Sequence, residues 1–144
     1  MTLDEMKNLL CEDLSREYMH WNFYLEASVR IQGLYRNSLQ DFLWEQAESE
    51  MNHIREFSKL LVGLNAGISI SKIPSFLRAT DAKEILTFAL EMEEEVVKNY
   101  AYRIEQCALL DDKVNAKYIE IFLEEQLLHS RQDADDIREM LKGL

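Results

Sequence analysis

Glu48-Ser49-Glu50-Met51-Asn52-His53 and Glu124-Glu125-Gln126-Leu127-Leu128-His129 decide the reading of this chain. Each places an acid or an amide three residues before a histidine, and the two stretches lie 76 positions apart. At the same offset Glu17 pairs with Glu93 and Tyr24 with Tyr100. Of the four chemical positions only one changes, Glu50 becoming Gln126. A lone Glu-x-x-His is a weak signal in an acidic helix. The spacing does put both side chains on one face, and its return within a repeat gives it weight. Such a duplication predicts a two-fold site where paired helices meet. Two helices carrying a carboxylate, and two carrying a carboxylate or amide before a His, can hold two metal ions in a bundle.

The sequence around these residues reads as four helices. Thr2 with Glu5 is a capping box, followed by the stripe Leu3, Met6, Leu10, Leu14, Glu17, Trp21, Tyr24, Ser28 and Ile31. Its steps of three and four define one helix face, and Gly33 is expected to end it. Ser38 is expected to cap a second helix with the face Leu39, Leu43, Gln46, Glu50, His53, Phe57, Leu60 and Leu64, closed by Gly67. Asp81 with Glu84 reads as another capping box, opening the face Leu86, Leu90, Glu93, Val97, Tyr100, Ile104 and Cys107. Asp111 and Asp112 mark a turn. A fourth face follows through Ile119, Phe122, Gln126, His129, Ile137 and Met140 to Gly143, weakened by Asp133 where the first half has Phe57.

Short turns within each half predict two antiparallel hairpins. The middle connection, residues 65–80, is longer and holds the only proline, Pro74. A helix of about 27 residues is ~40 Å long, and a link of this length reaches about 53–58 Å when extended. It is expected to cross the bundle and start the second hairpin from the same end as the first. The expected fold is all-α, an antiparallel four-helix bundle of two hairpins joined by a long crossover, in one domain spanning 1–144.

Composition agrees. The chain has 144 residues, 47% hydrophobic and 30% charged, with four Gly, which suits one globular, soluble, helical domain. A net charge of −11 argues against nucleic acid or an anionic membrane as partner. No apolar run reaches spanning length, and residues 1–5 lack the character of a signal peptide. Cys11 and Cys107 have no zinc-type spacing. They read as buried thiols in a reducing cytoplasm.

Each stripe is apolar except near its middle, where Glu17, Glu50 with His53, Glu93, or Gln126 with His129 interrupt it. Burying several unpaired carboxylates together is costly, and bound cations remove the cost. Oxygen and imidazole ligands without thiolate suit iron, with manganese or a mixed pair as alternatives. Glu17 and His53 are expected to terminate one metal, Glu50 to bridge, and Glu93 and His129 to terminate the second. Tyr24 and Tyr100 lie two turns beyond Glu17 and Glu93 and can hydrogen-bond to ligand carboxylates, which makes them the candidate catalytic tyrosines. His20 repeats the three-residue spacing from Glu17, but its counterpart is Val96, so it reads as a flanking residue. Glu91, Glu94, Glu95 and Glu124 read as a solvated face. Glu125, four residues before His129, can rotate inward.

These residues resemble the ferritin-like superfamily of non-haem di-iron carboxylate bundles, and most of all bacterioferritins and the related archaeal Dps-like proteins. The similarity runs over nearly the whole chain. It is carried by Glu12-Asp13-Leu14-Ser15-Arg16-Glu17-Tyr18, Glu48-Ser49-Glu50-Met51-Asn52-His53, Ala89-Leu90-Glu91-Met92-Glu93 and Leu123-Glu124-Glu125-Gln126-Leu127-Leu128-His129. The resemblance implies two iron ions on Glu17, Glu50, His53, Glu93 and His129. Gln126 departs from it, because bacterioferritins carry a second bridging Glu there. With three carboxylates for two divalent cations, the second metal is expected to bind more weakly. Met51 matches the methionine with which bacterioferritins ligate haem between subunits. It is the candidate cofactor-binding residue, although other ferritins share it without haem, and haem is the lesser expectation.

The resemblance implies iron(II) oxidation by oxygen or peroxide, for storage or detoxification in a homo-oligomer. The chain ends just after the fourth helix, so a dodecamer or a dimer is as compatible as a 24-subunit shell. Two alternatives stand beside this reading. One is a rubrerythrin-like di-iron peroxidase or oxidase without storage. The other is a metal-binding bundle whose site is weakened by Gln126.

Overall fold

The computed structural model describes residues 1–71 and 78–144, so Pro74 lies outside the described residues. Four helices follow in order: α1 (Leu3–Arg30), α2 (Arg36–Gly63), α3 (Ala82–Cys107) and α4 (Lys113–Leu141). Three of the four starts are fixed by a short polar side chain that takes an otherwise orphaned N–H. Thr2 and Glu5 form the full reciprocal box, with bonds of 3.2 and 3.1 Å. Asp81 accepts from the Glu84 N–H at 3.1 Å, and Asp112 from the Asn115 N–H at 3.0 Å. For Asp81 the described residues give only this forward bond, not the expected box.

The second helix departs from expectation at both ends. It starts at Arg36, behind Tyr35, with no side-chain cap. Ser38 sits inside the first turn and donates to the Tyr35 carbonyl at 3.1 Å. The turn is made instead by Gly33 at φ 97° and by Arg36, whose guanidinium donates to the Val29 and Ile31 carbonyls closing α1. At the far end Asn65, not Gly67, takes the left-handed position at φ 57°. Asn65 N–H donates to Val62 O at 3.0 Å and Ala66 N–H to Leu61 O at 2.9 Å, the paired bonds of a Schellman end. Asparagine tolerates that backbone, so the glycine was not needed there.

The described ends of the link lie along α1 and just beyond it. Cys11 Sγ donates to Gly67 O at 3.6 Å, Ser71 N–H to Ser15 Oγ at 2.9 Å, and Gln32 N–H to Thr80 O at 2.9 Å. The link therefore delivers the chain to the C-terminal end of α1, and the second hairpin starts at the end opposite to the first. This corrects the expected starting end. α2 already returns the chain to where α1 began, so a link that traverses the bundle must emerge at the other end.

α1 faces α3 and α2 faces α4, each pair antiparallel. Asp13 meets Arg103 and Tyr24 meets Glu93 across the first pair, while Phe57 meets Phe122 edge-on across the second. Two apolar clusters fill the bundle. One holds Met6, Leu10, Leu14, Phe57, Leu60, Tyr100 and Leu123, and the other Phe23, Tyr24, Ile31, Leu43, Ile85, Leu86 and Ile137. Trp21, Leu90 and Val97 are only half-buried, and the residues taken inside are His20, Phe23, Ala89 and Val96. Each helix touches two neighbours, so its buried arc is wider than a single seam.

One buried ion pair breaks the repeat. Arg103 grips Asp13 with two bonds, Nε to Oδ2 at 2.8 Å and Nη2 to Oδ1 at 2.9 Å, and both residues are buried. Their counterparts at the 76-residue offset are Ala27 and Ala89, both buried. Removing one partner of such a pair costs about 3–5 kcal/mol, and Arg16, whose Nη1 also donates to Asp13 Oδ1 at 2.9 Å, sets the loss toward the lower end. Arg103→Ala is expected to lose that much in denaturant unfolding, and Asp13→Ala with Arg103→Ala less than half of it. A double variant no more stable than the single one would contradict the assignment.

Candidate metal centre

Between the two apolar clusters lies one polar layer. Glu17, Glu50, Glu93 and Gln126, one from each helix, are all buried at 4% exposure or less. They sit on the inward arcs because each occupies a position in the three-and-four rhythm of its helix. His20 and His53 are buried with them, at 2% and 5%.

The donors fall into two groups that share one member. The ligand atoms of Glu17, Glu50 and His53 lie within 4.8 Å of one another, and so do those of His20, Glu50 and Glu93. His53 Nδ1 stands 3.3 Å from Glu50 Oε2 and 3.6 Å from Glu17 Oε2. The tyrosines cross over between α1 and α3. Tyr24 donates to Glu93 Oε1 at 2.8 Å, and Tyr100 donates to Glu17 Oε1. Each hydroxyl thus takes one carboxylate oxygen and leaves the other turned into the layer. Glu93 Oε2 and Gln126 Oε1 are buried with no hydrogen-bond partner. Unpartnered buried oxygens of this kind are rare; Glu93 belongs to the second donor group, and Gln126 lines the groove beside His53. That donor chemistry fits a pair of oxygen-preferring divalent cations.

Electrostatics point the same way. Burial pushes Glu50 well above the usual carboxylate range, and the nearby Glu17 raises it further. Burial and the approach of Asp133 do the same to Glu93. Glu17 is also pushed up by burial, but bonds with Glu50 and His53 outweigh that and hold it at about 2. Burial and the facing carboxylates push both tyrosines up, so they remain donors. Burial and the neighbouring acids thus disfavour the charged forms of Glu50 and Glu93, which a bound cation would favour.

His129 is brought into neither donor group. It is exposed at the rim of a groove between α2 and α4, its ring stacked on that of His53 with centroids 5.7 Å apart. Glu125 lines the same groove and is exposed. Met51 is 54% exposed on α2, turned away from the polar layer. Two residues near the centre were missed by the repeat. His20 was set aside for want of a counterpart, although its spacing from Glu17 and Tyr24 puts it on the buried arc. Asp133 was read as a flaw in a stripe, yet it lines the groove beside His53, and burial raises it to about 6. Of the thiols, Cys107 is buried and pushed up to about 11, whereas Cys11 is half-buried.

A carboxyl whose pKa is raised by folding stabilises fully below its unfolded value. That contribution is lost as pH climbs through the folded value. For Glu50 and Glu93 the window opens near their ordinary 4.5 and extends upward. The metal-free protein is therefore expected to melt at progressively lower temperature from pH 5 to pH 8. Glu50→Gln should flatten that slope by about 2–4 °C for each 1 kcal/mol of repulsion relieved. Parallel slopes for the two proteins, in calorimetry with a chelator present, would refute this origin.

The comparisons with known proteins agree with this geometry. The family model of the ferritin-like domain matches residues 7–141. A crystal structure of ferritin-like, diiron-carboxylate proteins from Bacillus anthracis str. Ames is 25% identical, with 96% of each chain covered and a TM-score of 0.82. A dodecameric thioferritin, the bacterioferritin-related protein from Bacteroides fragilis, is 16% identical, covering 97% of this chain and 86% of its own, with a TM-score of 0.82. An iron-soaked variant of PmFTN is also 16% identical, covering 97% and 87%, with a TM-score of 0.81. These last two likenesses are of fold. No curated protein matches the chain. No helix among the described residues is long and apolar enough to cross a membrane. A four-helix bundle with a crossover link, two carboxylate and histidine donor groups sharing one glutamate, and a family match over nearly its whole length together establish that this chain belongs to the ferritin-like domain family.

Proposed function

We propose that the chain binds iron(II) at a dinuclear site in the polar layer and oxidises it with oxygen or peroxide, for storage or detoxification. The observation that carries this reading is the sharing of Glu50 between the two donor groups. A shared carboxylate could serve two cations, and the unpartnered Glu93 Oε2 belongs to a residue of the second group. Two iron(II) ions release two electrons, enough with two protons to reduce oxygen to hydrogen peroxide or, with a peroxide, to form water. The metal supplies that redox chemistry.

The chain supplies the rest. Glu17 and His53 would hold one position, Glu93 the other, and Glu50 both. Tyr100 and Tyr24 orient Glu17 and Glu93 through their hydroxyls. The two apolar clusters exclude bulk water from either side of the layer. A groove of about 350 Å³, lined by His53, Glu56, Glu125, Gln126, His129 and Asp133, gives cations an acidic approach from the α2–α4 face.

A homo-oligomer is part of the reading. Trp44, Met51, Tyr118, Ile121 and Leu128 are all about half exposed on α2 and α4, and the Bacteroides fragilis relative is dodecameric. Two free cysteines fit a reducing cytoplasm.

Glu50→Ala is expected to abolish binding of both metals and the oxidation of iron(II) in air. Anaerobic iron(II) titration measures this, and unchanged stoichiometry would overturn the bridging role. Gln126→Glu restores a fourth carboxylate and is expected to tighten the weaker site roughly tenfold, about 1.4 kcal/mol. Equal or weaker affinity in the same titration would contradict the charge argument.

A further inference from the structure

We propose that His20 supplies the imidazole of the second metal position, where the repeat assigns that part to His129. This rests on the dinuclear reading and deepens it. His20 reaches the layer from α1, is 2% exposed, and has a ring nitrogen within 4.8 Å of carboxylate oxygens of both Glu50 and Glu93. Glu93 Oε2, on the same group, is buried and satisfied by no protein donor, as a metal-ligating oxygen would be.

His129 stands differently. It is exposed on the α2–α4 face, with its ring nearly parallel to that of His53, at 10°. To reach Glu93 it would have to leave that stack and enter the bundle. His20 needs no movement of that size.

Donor bookkeeping supports the same assignment. Counting His53 with Glu17 and Glu50, and His20 with Glu93 and Glu50, each position has two carboxylates and one imidazole. The first position gains no further donor by symmetry, because the counterpart of His20 is Val96, buried and apolar. The outward placing of His129 leaves without an imidazole the same position that His20 serves. The first hairpin thus makes good what the second has given up, and both imidazoles come from the first half of the chain. His20 also walls off the layer from a cavity of about 530 Å³ between α1, α3 and the link, which Arg16, Met19, Glu95 and Asn99 line with it.

Anaerobic cobalt(II) titration of the full chain, read by visible absorption and calorimetry, tests the assignment. Wild type should bind two ions per chain. His20→Ala should bind one, and so should His20→Gln, which keeps the wall to the cavity closed. Loss of a supporting residue outside the ligand set costs 10–100-fold in metal affinity, so loss of this ligand should weaken the second ion by at least about 100-fold. His129→Ala should still bind two. Thermal unfolding by circular dichroism confirms that each variant is folded. Two ions retained by both His20 variants, or one lost from His129→Ala, would overturn the proposal and leave the dinuclear reading intact. Fewer than two ions in wild type would overturn both.

Discussion

Everything in this bundle is arranged around carboxylates that have been taken out of water. Glu17, Glu50 and Glu93 lie in a layer with apolar clusters on either side, where an isolated negative charge costs several kcal/mol. The chain meets that cost in three ways. Tyrosine hydroxyls cross from the opposite helix to bind one oxygen each. Two histidines come close enough to donate or to coordinate. Where neither suffices, burial and the neighbouring acids raise Glu50 and Glu93 above the usual carboxylate range. A cation would relieve the same repulsion, so pH dependence and metal affinity are two faces of one electrostatic strain.

The fold serves this layer by geometry. A crossover link, paired to α1 at Cys11, Ser15 and Gln32, makes α1 and α3 antiparallel. Only in that orientation does each tyrosine, two turns along its own helix, arrive opposite the glutamate of the other. The matching of Tyr24 to Glu93 and Tyr100 to Glu17 is therefore a consequence of how the hairpins are connected.

Much of this was legible in the sequence because it is written twice. The repeat identified the four helices, the long middle connection and the residues of the polar layer, since a signal that recurs at a fixed offset outweighs one that stands alone. The same reliance on the repeat hid what occurs once. His20 and Asp133 have apolar counterparts, Val96 and Phe57, and were discounted for it. The burial of Phe23 and Val96 in place of Trp21 and Val97 depends on how wide an arc each helix presents to two neighbours, which one stripe does not disclose. Helix starts were legible where a side chain caps them, as at Thr2 and Asp81, although Asp112, legible only as part of a turn, caps α4 as well. Helix ends were read poorly where the backbone does the work, as at Tyr35 and Asn65.

The Asp13–Arg103 grip has a further meaning for how such a molecule descends from a doubled half. Two copies of the first hairpin, docked on each other in the same manner, would set Asp13 against Ala27, and would do so twice. Each acid would lose the guanidinium from the opposite helix and keep only that of Arg16, on its own helix. The halves have diverged past the point at which one can impersonate the other, and the pseudosymmetry that remains is a record of ancestry with no way back.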